Sequence, residues 1–132
     1  MPTGDFAPGL DDIERLAREA LARIPEPFAS HLPDIILQVE DWPSREQLDD
    51  MGIADPYELT GLYEGRPVGD KSVEDFAVLP DRILLFRRPL LDEWAETGVG
   101  LADLINHVVV HEVGHHFGLS DEQMEAIEQA MD

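Results

Sequence analysis

The chain of 132 residues contains no cysteine. That excludes a disulfide framework and any thiolate metal site. Cationic side chains are scarce: nine Lys and Arg stand against 29 Asp and Glu, a formal net charge of −20. After Arg88 there is no Lys or Arg, while ten acidic residues follow. Phosphate contacts need clustered Lys and Arg, so this balance argues against nucleic-acid binding. It equally disfavours an anionic membrane surface. Long apolar runs are missing as well: stretches such as Ile83 to Phe86 fall far short of the ~20 residues that cross a bilayer. Met1-Pro2-Thr3-Gly4-Asp5 shows no basic segment followed by an apolar one, so no signal peptide is expected and the default location is cytoplasmic. A hydrophobic content of 43% fits a soluble globular protein. The length suits one domain over residues 1–132, with a loose Pro- and Gly-rich start at 1–9.

What the chain does have is His111-Glu112-Val113-Gly114-His115-His116-Phe117-Gly118-Leu119-Ser120-Asp121. The spacing is H-E-x-x-H, then Gly118, then Asp121. On a helix, His111 and His115 lie on one face about one turn apart. Two imidazoles so placed can converge on a zinc ion at ~2.0–2.1 Å each. Glu112, turned about 100° round the helix, stands beside the ion rather than on it, where a general base belongs. Gly118 can adopt the left-handed conformation that ends a helix, and Leu119 supplies the apolar contact that accompanies such a stop. The chain can then turn back and bring Asp121 to the metal as a third ligand. Three protein ligands with one open position mark a catalytic zinc site rather than a structural one. The motif closes an apolar helical run from Leu101 to Phe117, which includes Leu104, Ile105, Val108 and Val109. The alternative reading of these residues is a core helix with two surface histidines and a solvated Glu.

These residues resemble the small bacterial zincin-like metallopeptidases, or minimal zincins. The resemblance extends upstream through Leu59-Thr60-Gly61-Leu62-Tyr63-Glu64-Gly65 and from Leu79-Pro80-Asp81 to Pro89, and so covers most of the chain. The Gly-x-x-Asp continuation is also similar to the zinc motif of metzincins, with Asp121 where most of those carry a third His. Met124 and Met131 fall on an expected helix rather than in the separate Met-turn of metzincins. The resemblance implies an α+β, minimal zincin-like fold. In it a small mixed or antiparallel sheet packs against an N-terminal helix and the HExxH helix. It also implies a zinc metallopeptidase, an endopeptidase, acting on peptide or protein substrates. In such folds the sheet edge near the metal pairs with an extended substrate. Gly61, Leu62 and Tyr63 are the candidates to line that cleft, and an ordinary buried strand is the alternative for them.

In chain order, Leu10 to Ile24 reads as an amphipathic helix, with Ile13, Leu16, Ala17, Ala20, Leu21 and Ile24 on one face. Asp34 to Glu40 reads as a strand. Ser44 and Gln47 form a capping-box pattern for a short helix ending at Gly52. Leu59–Glu64 and Arg82–Arg87 are further strands, Gly69–Asp75 is a loop, and Pro89 begins a short helix through Glu96. Ser120 and Gln123 cap a last helix, Asp121 to Met131. His107, one turn before His111, reads as a cleft-wall or packing residue, because ~12 Å of helix separates it from His115. His116 points to another face, with an outer-sphere or surface role. Tyr57 and Tyr63 are candidate oxyanion donors, with packing as the alternative. Asp103, Glu122 and Glu125 are candidates to orient an imidazole, with solvated surface as theirs. The acidic surface serves solubility or draws cationic peptides.

Three functions fit this sequence: a zinc-dependent metallopeptidase with Glu112 as general base, a zinc-containing zincin-fold binding or regulatory module without general proteolysis, and an acidic interaction domain with an incidental motif. Two imidazoles and a carboxylate also suit iron with open positions, but Glu112 beside them favours hydrolysis. Oligomeric state leaves no mark in the sequence.

Overall fold

A computed structural model describes residues 7–65 and 81–131. The expected loop Gly69–Asp75 lies outside the described residues, as does most of the loose start at 1–9. Helix α1 (Leu10–Ala22) forms where the 3.6-residue repeat predicted it. Its face of Ile13, Ala17 and Ala20 is fully buried. Strand β1 (Ile36–Glu40) begins later than the alternation suggested. A 3₁₀ turn over Ala29–Asp34 precedes it, and the Ile35 N–H donates to the Leu32 carbonyl at 2.9 Å, so Ile35 caps the turn instead of opening the strand. Helix α2 (Arg45–Met51) carries the expected Ser44–Gln47 capping box and ends at Gly52 in the left-handed conformation.

Strand β2 (Gly61–Glu64) pairs antiparallel with β3 (Arg82–Phe86), and β1 pairs parallel with β3 on its other side. The three-stranded sheet is therefore mixed, in the order β1-β3-β2. Ile83, Leu84, Leu85 and Phe86 are all buried because β3, the central strand, is covered on both faces. Leu37, Ile83 and Leu85 join the main core with α1. Leu62, Leu84 and Phe86 form a second cluster with Leu59 on the opposite face.

Helix α3 (Arg87–Thr97) starts two residues before Pro89. Pro89 is its third residue, where the missing N–H would have had no partner within the helix anyway. Helix α4 (Leu101–Phe117) has the limits read from the sequence, and α5 (Asp121–Ala130) follows after three residues. Helix α4 packs on α1, β2 and α5. Its residues Leu104, Ile105, Val108, Val109, Val110 and Val113 sit in the main core. No described helix is long and apolar enough to cross a membrane.

The α4–α5 contact has a specific requirement. A Cβ at Gly114 would collide with the Met124 thioether. Gly114, the second intervening residue of H-E-V-G-H, is thus a packing residue that lets α5 lie close under the motif. Gly114→Ala should destabilise the fold by about 1–2 kcal/mol, overpacking outweighing the helix-propensity gain. A thermal melt should show the midpoint falling by roughly 3–8 °C. An unchanged midpoint would mean that the helices separate without cost.

Candidate active site

Helix α4 divides the motif between core and surface. Val110 and Val113 are fully buried, Glu112 is 7% exposed, His111 is half-buried and His115 is exposed. A glutamate is seldom buried without a partner. Here His115 Nδ1 lies 3.1 Å from Glu112 Oε1. Strand β2 supplies the cover. A Cβ at Gly61 would stand 2.6 Å from Val108 Cγ1 and 3.4 Å from Glu112 Cγ. The strand can approach the motif this closely only because residue 61 has no side chain.

The end of α4 has the stop that the sequence indicated. Gly118 is left-handed at φ 68°, ψ 37°, and the Leu119 N–H donates to the Gly114 carbonyl at 2.9 Å. Ser120 Oγ then accepts from the Gln123 N–H at 3.2 Å, and Gln123 Oε1 accepts from the Ser120 N–H at 2.8 Å. Two fixed helix ends three residues apart place exposed Asp121 at the start of α5, where its charge acts on His115. The hydrogen bond to Glu112 raises His115 above its ordinary 6.5; burial opposes this, and the charges of Glu112 and Asp121 add to the rise. A raised imidazole pKa contributes stability below pH 6.5 and loses it as pH rises through the folded value. In chelator-treated protein, NMR titration should place His115 above 6.5, and Glu112→Gln should bring it down. Equal values in the two proteins would remove Glu112 as the cause.

Behind the motif, His116 is buried. Its Nδ1 lies 2.8 Å from Asp81 Oδ2 and 3.3 Å from the Tyr63 hydroxyl. Tyr63 is held neutral above its ordinary pKa of 10 by burial first, then by its hydrogen bond to Asp81 and the charge of that carboxylate. The group joins β2, the residue preceding β3 and the last turn of α4. Tyr63 therefore faces His116 and Asp81, Leu62 lies in the second core cluster, and Gly61 packs close to Glu112. Tyr57 is exposed and packs edge-on against Trp42 at 5.0 Å, in the 3₁₀ turn Pro56–Glu58.

The metal-capable side chains are arranged in two ways. His111, His115, Glu112 and Asp121 come from eleven consecutive residues, but the first, second and fourth of these are not drawn to one point. His115 is turned to Glu112. Among the described residues, the three whose ligand atoms all lie within 4.8 Å of one another are His107, His111 and Glu128. His107 is exposed, and its Nδ1 lies 2.8 Å from Glu128 Oε1. Glu128 went unmarked in the sequence. Its signal was there once α5 was known to fold back: it lies one turn beyond Met124, which meets Gly114, and His107 lies two turns before Gly114.

A profile of zincin-like metallopeptidases matches residues 32–131, from before β1 to the end of α5. The chain belongs to the zincin-like metallopeptidase family. Its five α-helices and small three-stranded mixed sheet, among the described residues, are a minimal zincin-like fold. Zincin-like proteins typically bind a metal ion, zinc, and act as peptidases. No curated protein matches the chain. The donor chemistry fits that ion: two imidazoles one turn apart, carboxylates before and after His115 in the chain, and no cysteine thiolate.

Proposed function

We propose that this zincin is a zinc-dependent endopeptidase in which His111, His115 and Asp121 hold the ion and Glu112 is the general base. The observation that carries the reading is Glu112 itself, a buried carboxylate covered by β2 and hydrogen-bonded to the second histidine of the motif. When bound, the ion supplies Lewis acidity and makes water a nucleophile near neutral pH. Glu112 accepts the proton of the attacking water and delivers it to the leaving amine. Its cover by β2 restricts bulk water on one side, which strengthens the electrostatic interactions at the carboxylate. Gly61 keeps β2 against α4. Among the described residues no strand pairs with the outer edge of β2, so an extended peptide can add there by backbone hydrogen bonds and run past Glu112. The acidic surface, with no Lys or Arg after Arg88, favours peptides rich in Lys and Arg.

The test is hydrolysis of a diverse peptide mixture read by mass spectrometry, with the protein zinc-loaded, chelator-stripped and reloaded. Internal cuts that vanish on stripping and return with zinc are expected, enriched near Lys and Arg. Stoichiometric zinc with no cuts would overturn the peptidase reading in favour of a zincin-fold binding module.

A further inference from the structure

The histidines of α4 form a ladder: 107, 111 and 115, each one turn from the next. One ion cannot reach both ends of it, because ~12 Å of helix separates them. His111 is the middle rung. The structure groups it with the upper partner rather than the lower one: the His107 and His111 rings stand 4.3 Å apart, tilted at 51°. From α5, Glu128 closes the group, with its Oε1 2.8 Å from His107 Nδ1.

We propose that His107, His111 and Glu128 form a second divalent-metal site, which shares His111 with the motif site and so excludes simultaneous full occupation of both. The chemistry is two imidazoles and one carboxylate, a set suited to zinc or to cobalt in its place. The geometry requires little movement. Ligand atoms around a tetrahedral ion with ~2.05 Å bonds lie ~3.3 Å apart, and the three here already lie within 4.8 Å of one another. The His107–Glu128 pair would open from a hydrogen bond to a shared ion by about 0.5 Å. His107 is half-exposed, with its side chain 52% accessible, so the site has an entry path from solvent. A neutral imidazole has one free lone pair, so His111 serves one ion at a time. Filling the upper site therefore withdraws a ligand from the lower one and ties α4 to α5 by a metal bridge. The competing role for His107 and Glu128 is an ion pair between two helices, and the experiment separates the two.

The experiment uses the full chain with the motif site disabled by His115→Ala and Asp121→Asn together. Cobalt(II) binding is followed by its visible absorption, and zinc by equilibrium dialysis with elemental analysis. The disabled protein should bind about one equivalent of either ion. Adding His107→Ala or Glu128→Gln should each weaken that binding by more than the ~10–100-fold that loss of an outer-sphere partner costs. In the disabled protein, zinc should also shift the His107 ring-nitrogen NMR signals. Circular dichroism of each variant keeps a folding failure from passing as a lost ligand. No cobalt or zinc bound by the folded, disabled protein would overturn the proposal. So would binding that neither His107→Ala nor Glu128→Gln weakens. Either failure leaves the peptidase reading intact if the unaltered protein still cleaves peptides. An upper site that binds in a protein that cleaves nothing would sink the peptidase reading alone.

Discussion

Glu112→Gln should lower the turnover of zinc-loaded protein by about 10²–10⁴-fold, the range assigned to a positioned general base. Gln keeps the shape and can still bond to His115, but it cannot take a proton. Glu112 is proposed to stand beside the ion and not on it, so zinc stoichiometry should stay unchanged. The split between lost turnover and retained metal is the diagnostic. Zinc lost along with activity would make Glu112 a ligand, and activity retained would move the base elsewhere. The fold should survive, since the substitution conserves volume at a site where Gly61 leaves little to spare.

The second large effect lies behind the motif. Asp81→Ala should destabilise the protein by about 3 kcal/mol, because it removes a buried carboxylate bonded to both His116 and Tyr63. The thermal midpoint should fall on the order of 10 °C. Asp81→Asn, which keeps an acceptor oxygen and the volume, should cost less. Because the group joins three elements around the end of α4, Asp81→Ala should also weaken zinc binding without touching a proposed ligand. A midpoint unchanged in Asp81→Ala would show that the sheet and motif helix hold together by apolar packing alone.

The parts of this architecture that local chemistry dictates were legible in the sequence. Gly118 and the Ser120–Gln123 box fix where α4 stops and α5 starts, and both operate over a few residues. The apolar run from Leu101 set the length of α4 in the same way. Strand pairing was less accessible. That β3 sits between β1 and β2, parallel to one and antiparallel to the other, depends on pairings between strands far apart in the chain, such as Ile36 with Arg82 and Gly61 with Leu85, which no local pattern encodes. Pro89 misled because its usual place is the first helical position, whereas the third also tolerates a missing N–H. The motif spacing and the helix stop at Gly118 pointed to the HExxH residues and Asp121, but the His107–His111–Glu128 group needs the angle between two helices, and Asp81 acquires its role only when β2 and α4 bring Tyr63 and His116 to it.

The three-residue connection between α4 and α5 has a consequence for how the protein loses and regains function. Every residue proposed here to hold an ion, in either site, lies within the hairpin of α4 and α5. The cover over Glu112 comes instead from β2, far back in the chain. Partial openings of a protein follow such divisions, and a sheet edge detaches more readily than a core helix. A molecule with β2 detached would keep its ion and lose its chemistry. Hydrolysis would then be sensitive to fluctuations of the sheet at temperatures where metal content stays constant.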